Sequence, residues 1–157
     1  MKVLYFCLSY FFKPYCNIYS KLHVVLIVME ENMAHGTFAT QINCMDGRTQ
    51  EPALKWIKEK FGVDYVDNIT EPGPDKILAQ GIQPNLDSIK ARAMISVYKH
   101  GSRNIVIVSH HDCAGNPVCK KEHADMVHKA VEVVRSWGLP ASVQSVWIDR
   151  NWHVKEI

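Results

Sequence analysis

Apolar runs of strand character alternate with amphipathic helical segments over most of this chain, and this alternation limits the possible folds more than any other feature. The strand-like runs cover residues 37–44, 63–69, 104–109 and 142–148. The helical segments between them cover residues 51–62, 84–100 and 118–137. Such an order predicts a parallel sheet with right-handed crossovers and helices on both faces. We therefore expect a three-layer α/β fold with a central parallel sheet of about four strands.

Proline and glycine mark the predicted helix boundaries. Pro84 and Gly101 bracket the second helical segment. Asn116 and Pro117 are suited to the N-cap and the first helical position of the third segment. The stretch TEPGPDK, residues 70–76, is rich in turn-forming residues and predicts a loop. The sequence thus predicts three helices, with a loop after the second strand.

Length and composition indicate a single globular domain in a reducing compartment. The chain has 157 residues, of which 47% are apolar, and this is enough for one core. Its net charge of +2 comes from 18 basic and 16 acidic residues without a basic run, so a nucleic acid partner is not expected. Five cysteines form an odd set without disulfide-framework spacing, which favours a cytoplasmic location.

The N-terminal segment, residues 1–32, differs in composition from the remainder. Its apolar runs VLYFCLSYFF and HVVLIVM are both shorter than the ~20 residues that a spanning helix needs, so no membrane segment is expected. No small-residue cleavage site follows, which argues against a signal peptide. We expect an extension without catalytic importance, with Met29 or Met33 as the true start, followed by one domain over residues 33–157.

Potential metal ligands follow two of the predicted strands. Cys44 ends the first strand, and His110 and Cys113 follow the third. Ligands bind beyond the carboxyl ends of parallel strands, so these three side chains can converge on one ion. Two thiolates and one imidazole suit zinc and leave a fourth position for water, as in catalytic sites. Cys119 or His111 could be a fourth ligand, but we expect Cys119 to pack in the first helical turn and His111 to be solvated or hydrogen-bonded.

The other histidines and the tryptophans are expected to have structural roles. His123 and His128 are five positions apart in the third helical segment and do not share a face, so both are predicted to be solvated. Trp137, Trp147 and Trp152 are predicted to be core or interface residues rather than a stacking platform for bases.

Two short motifs together resemble the β-class carbonic anhydrases. They are C-x-D-x-R, from Cys44 to Arg48, and H-x-x-C, from His110 to Cys113. The resemblance implies that Cys44, His110 and Cys113 bind Zn²⁺ and that the enzyme converts carbon dioxide reversibly to bicarbonate. It also implies that Asp46 accepts the hydrogen bond of the zinc-bound hydroxide and orients it. Arg48 would keep Asp46 ionised and oriented.

The resemblance covers roughly residues 37–150 and includes departures from the family. Between the motifs the family has a segment with R-x-A-G, whereas this chain has ITEPGPDKIL at residues 69–78. The long N-terminal helices that members exchange between subunits are not evident either. We therefore expect a compact, divergent member. Because the family's site lies at a subunit contact and open sheet edges need cover, a homodimer or higher homo-oligomer is expected.

Three alternative functions remain open at the level of sequence. The same zinc site could hydrolyse carbonyl sulfide or carbon disulfide. A non-catalytic zinc-binding regulatory module would need the same ligands without the reaction. A cysteine phosphatase is disfavoured, because AGNPVCK after Cys113 supplies Lys120 but no arginine to hold a phosphate.

Overall fold

The structure is a computed structural model that describes residues 34–157. The predicted N-terminal extension, residues 1–32, lies outside the described residues. The strands are β1 (Phe38–Cys44), β2 (Tyr65–Glu71), β3 (Asn104–His110), β4 (Ser142–Ile148) and β5 (Val154–Glu156). The helices are α1 (Gly47–Phe61), α2 (Pro74–Gln80), α3 (Asn85–Lys99) and α4 (Lys120–Ser136). Among the helices of this described part, none is both long enough and apolar enough to cross a membrane.

The strands form one sheet in the order β2-β1-β3-β4-β5. The first four strands are parallel to one another, which confirms the predicted α/β fold with a central parallel sheet. The fifth strand was not predicted, and it runs antiparallel to β4. Three residues are too few to show an alternating pattern. The strand forms because the chain turns back after β4, where the Asp149 amide donates to the His153 carbonyl at 3.0 Å.

Two hydrophobic clusters lie on opposite faces of the sheet, and β3 contributes to both. Ile105 and Ile107 pack with α2, α3 and α4 on one face. Val106 and Val108 pack with α1 on the other. Consecutive strand residues point to opposite faces, so a strand covered on both sides is apolar throughout. The predicted three-layer arrangement is therefore confirmed.

Helix α2 lies within the stretch that was predicted to be a loop. Pro74 is at its first position, and Gly73 and Gly81 flank it with φ of 64° and 66°. Proline at the start and glycine beyond the end are the usual boundary residues of a helix. The turn-forming residues therefore mark the two ends of a seven-residue helix. The loop prediction was wrong because the helix between these signals is so short.

Helix α4 begins later than predicted. Its N-cap is Cys119, whose backbone amide donates to the Glu122 carboxylate at 3.1 Å, so the predicted N-cap at Asn116 is wrong. The Asn116 side chain is buried and bonded elsewhere, and it is therefore not available to cap a helix. Cys119 itself is exposed and does not pack in the first turn.

The predictions for the remaining aromatic residues have different outcomes. Trp147 is buried, and Trp137 and Trp152 pack against the two clusters, as expected. His128 is exposed, also as expected. His123 is only 1% exposed, so its predicted solvation is wrong. It is buried because its ring bonds to Asp75, a partner that helical periodicity does not reveal.

Candidate metal centre

Three potential metal ligands meet at the carboxyl edge of the sheet. Cys44 is the last residue of β1 and His110 the last of β3, and these two strands are direct neighbours. Cys113 follows in the turn after β3. The two sulfur atoms lie 3.8 Å apart, and all three ligand atoms lie within 4.8 Å of one another. Each of the three residues is less than 5% exposed. The structure thus brings together the three side chains named from the sequence.

The imidazole of His110 is held with one nitrogen free for a ligand. Its Nδ1 donates to the His111 carbonyl at 2.7 Å. A carbonyl oxygen only accepts, so the proton of the neutral ring is on Nδ1 and the lone pair is on Nε2. That Nε2 is buried and has no hydrogen-bond partner among the described residues. A metal-binding histidine has this geometry, in which one nitrogen is fixed by a hydrogen bond and the other faces the ion.

The two thiols are strongly coupled. The hydrogen bond from Cys113 is the main cause that lowers the pKa of Cys44 to about 4, and backbone amides of Gly73 and Asp46 act in the same direction. The same bond with Cys44, together with burial, raises the pKa of Cys113. The two shifts have opposite directions, so the pair favours one thiolate that accepts a hydrogen bond from one thiol. A divalent cation would displace the remaining proton, since ligation deprotonates a thiol.

The pKa of His110 responds to the same thiolate. Burial opposes its charged form, but the negative charge of the nearby Cys44 sulfur outweighs burial, and the pKa is raised. The negative sulfur thus favours a positive charge beside it, either a proton on the His110 imidazole or a metal ion bound by the three side chains.

The donor set fits zinc. Two sulfurs and one imidazole nitrogen are ligands that zinc prefers, and three protein ligands leave one tetrahedral position open. Within residues 34–157, the ligand atoms that lie close to one another belong to Cys44, His110 and Cys113, and the Asp46 carboxylate is not among them. The fourth position is consequently not provided by Asp46 in this arrangement.

Hydrogen bonds from Arg48 fix the Asp46 carboxylate. Asp46 is the N-cap of α1 and accepts the Arg48 backbone amide at 3.0 Å. Helix α1 therefore begins before its predicted start at residue 51. The guanidinium also donates to both carboxylate oxygens, with Nη2 to Oδ2 at 2.6 Å and Nε to Oδ1 at 3.0 Å. These bonds lower the pKa of Asp46 to about 2. The carboxylate is therefore ionised at physiological pH and acts only as an acceptor.

Arg48 has further contacts that the sequence did not reveal. Its Nη1 donates to Asp112 at 3.3 Å, and its guanidinium lies 5.1 Å from the centre of the Trp152 ring. The Trp152 ring also contacts the His111 ring, with centroids 4.8 Å apart. Both contacts support the orientation in which the guanidinium binds Asp46. No local signal identifies Trp152, since it reaches Arg48 only through the turn between β4 and β5.

An open cleft of about 430 Å³ adjoins Cys113 and Arg48. Its lining residues are Arg48, Asp112, Cys113, Ala114, Pro117 and Val118. The cleft combines a charged rim with an apolar wall, and one of the three potential ligands lies in its lining. Residues 69–78, which stand where the family has its R-x-A-G segment, are not among the residues that line this cleft.

The fold and the site together define an α/β protein with a candidate metal centre, because Cys44, His110 and Cys113 meet at the carboxyl edge of its parallel sheet. The sequence profile of a family described as "Putative carbonic anhydrase" matches residues 34–157. The chain belongs to this family, which confirms the resemblance to carbonic anhydrases. No curated protein matches the chain.

Solved structures of several β-carbonic anhydrases are similar to this chain. One report describes two tetrameric enzymes from Sordaria macrospora, with 16% identity, a TM-score of 0.44, and coverage of 90% of this chain and 92% of that chain. The Coccomyxa enzyme in complex with acetazolamide has 14% identity, a TM-score of 0.47 and coverage of 92% and 85%. The enzyme CafA of Aspergillus fumigatus has 15% identity, a TM-score of 0.42 and coverage of 91% and 85%.

Proposed function

We propose that this protein is a zinc-dependent carbonic anhydrase that interconverts carbon dioxide and bicarbonate. The observation that carries the proposal is the convergence of Cys44, His110 and Cys113 beside an Asp46–Arg48 pair, in a chain of the carbonic anhydrase family. Zinc with three protein ligands lowers the pKa of bound water to about 7 and supplies a hydroxide nucleophile near neutral pH. Cys44, His110 and Cys113 would hold the ion.

The neighbouring side chains are suited to orient the nucleophile and to admit the substrate. Asp46 is ionised, so it can accept a hydrogen bond but cannot donate one, and this fixes the direction of a hydroxyl group that it binds. Arg48 restrains Asp46 with two parallel bonds. The apolar wall of the cleft, formed by Ala114, Pro117 and Val118, suits carbon dioxide, which is small and carries no net charge.

A stopped-flow hydration assay on protein of known metal content tests the function. We expect hydration to rise in proportion to zinc content when metal-free protein is reloaded. Stoichiometric zinc without hydration would contradict the proposal and favour the regulatory module. Turnover of carbonyl sulfide or carbon disulfide by such a protein would indicate the hydrolase instead.

We also propose that the protein acts in the cytoplasm. Cys44 and Cys113 are free thiols with sulfurs 3.8 Å apart. In an oxidising compartment two thiols so close would form a disulfide and lose both metal-binding thiolates. A reducing environment keeps the proposed ligands available.

A homodimer or higher homo-oligomer remains part of the proposal. Helix α3 exposes Met94, Ile95 and Tyr98, each by more than 40%, and these positions are adjacent on its surface. Because clustered exposed apolar side chains favour association, we expect Ile95→Glu to shift the protein towards monomer in analytical ultracentrifugation. Lys129→Glu, at an exposed position on α4, should leave the distribution unchanged. A wild-type protein that is monomeric at micromolar concentration would contradict this prediction.

A further inference from the structure

Three buried polar side chains near the metal centre form a hydrogen-bonded network that the proposed reaction does not use. Asp75 lies in the first turn of α2, Asn116 follows the turn after β3, and His123 belongs to α4; each is 1% exposed. His123 Nδ1 donates to Asp75 Oδ2 at 2.6 Å, and Asn116 Nδ2 donates to the same oxygen at 3.0 Å. Carboxylates and imidazoles are seldom buried so completely without partners, and here one carboxylate oxygen serves both donors.

This network, which we call the Asp75–Asn116–His123 network, spans a crossing of two loops. A Cβ atom at Gly73 would lie 2.8 Å from the carbonyl carbon of Gly115. A Cβ atom at Gly115 would lie 2.4 Å from the carbonyl carbon of Pro72. These distances are too short for any side chain, so the two backbones are in direct contact. The bond from Asn116 to Asp75 joins the same two loops next to the crossing.

Both loops are joined by backbone hydrogen bonds to the segments that carry the proposed metal ligands. The Asn116 amide donates to the Cys113 carbonyl at 3.2 Å, within the turn that carries this ligand. The Met45 amide, next to Cys44, donates to the Glu71 carbonyl at 3.1 Å, just before the loop that contains Gly73. Outer contacts that fix the position of a ligand influence metal affinity. The loop crossing is therefore connected to the backbone that positions both sulfurs.

We propose that Asp75, Asn116 and His123 are positioning residues of the metal centre. They hold the two loops crossed and so fix the backbone of the segments that carry both sulfurs. His123 connects the network to helix α4. The ring of Trp147, a residue of β4, packs against the His123 ring with centroids 5.3 Å apart. The inference rests on the proposed zinc site, and it concerns metal affinity and geometry rather than the reaction.

Zinc affinity of His123→Leu, measured by competition with a chromophoric chelator, tests the inference. Leucine has a similar size but no donor, and we expect zinc to bind about 10- to 100-fold more weakly. The thiolate-to-cobalt absorption of the Co²⁺-loaded variant should also shift, because the segments that carry the sulfurs lose the contact that fixes their position. His123→Asn keeps a donor near the position of Nδ1 and should restore most of the affinity. His128→Leu, at an exposed position of the same helix, should match the wild type.

A second variant keeps the test decisive if His123→Leu does not fold. Asn116→Ala leaves the bond between His123 and Asp75 in place and removes only the link across the crossing. We expect weaker zinc binding and a shifted cobalt spectrum, with circular dichroism unchanged. Wild-type affinity and spectrum in the folded variants would overturn the positioning role. A wild-type protein that binds no zinc would instead overturn the proposed function, and the inference with it.

Discussion

The variant Cys44→Ala is expected to lose nearly all of its bound zinc. Cys44 supplies one of three ligand atoms that lie within 4.8 Å of one another. With Cys44 removed, one thiolate and one imidazole remain, and two ligands hold zinc far more weakly than three. Metal analysis after gel filtration measures the outcome. The variants His110→Ala and Cys113→Ala should show the same loss.

Cys119→Ala is the matched control for this experiment. Cys119 is a free cysteine like Cys44, but it is exposed and caps helix α4 outside the ligand group. We expect this variant to retain one zinc per chain. Full zinc occupancy in Cys44→Ala would refute the ligand assignment, whereas a loss in both cysteine variants would indicate a general effect of removing a thiol.

The second large effect is expected for Asp46→Asn, which should keep its zinc but lose activity. An amide presents a donor as well as an acceptor, so it cannot replace a carboxylate that accepts two bonds from Arg48. Asparagine is as good an N-cap as aspartate, so α1 and the fold should be preserved. We expect the hydration rate to fall by about 10- to 100-fold, which corresponds to about 1.4–2.8 kcal/mol of barrier.

Metal content and stopped-flow rates on the same samples separate the two roles of the site. Asp125→Asn, an equivalent change at an exposed position of α4, should leave both quantities unchanged. If Asp46→Asn retains both zinc and the wild-type rate, this carboxylate does not orient the nucleophile. The non-catalytic zinc module would then be the better description of the protein.

Arg48→Ala extends this second prediction to pH. Arg48 lowers the pKa of Asp46 to about 2, and its removal lets that pKa rise towards the ordinary value of 3.8. The carboxylate still ionises well below an assay range of about pH 6–9, so its protonation does not cause the loss. The loss arises because the freed carboxylate can turn towards the three ligands and compete with hydroxide. We expect the loss to be steepest at low pH, where hydroxide is scarce, and a loss independent of pH would contradict this explanation.

The parallel sheet and the convergence of the three ligands follow from the sequence. The fully apolar run of β3 predicts a strand covered on both faces, and Ile105 and Val106 do pack on opposite faces. Parallel strands bring their carboxyl ends to one edge. Cys44 and His110 therefore meet although they are 66 positions apart in the sequence, because the strands that they end are neighbours.

Other features depended on contacts between distant parts of the chain. Helical periodicity could not show that His123 is buried, because its partner Asp75 is 48 positions away and belongs to a helix hidden among turn-forming residues. In the same way, Trp152 meets Arg48 only after the turn that creates β5. Local patterns determine which segments form strands and helices. The side chains that support the site are selected by packing between segments, and only the tertiary structure decides that packing.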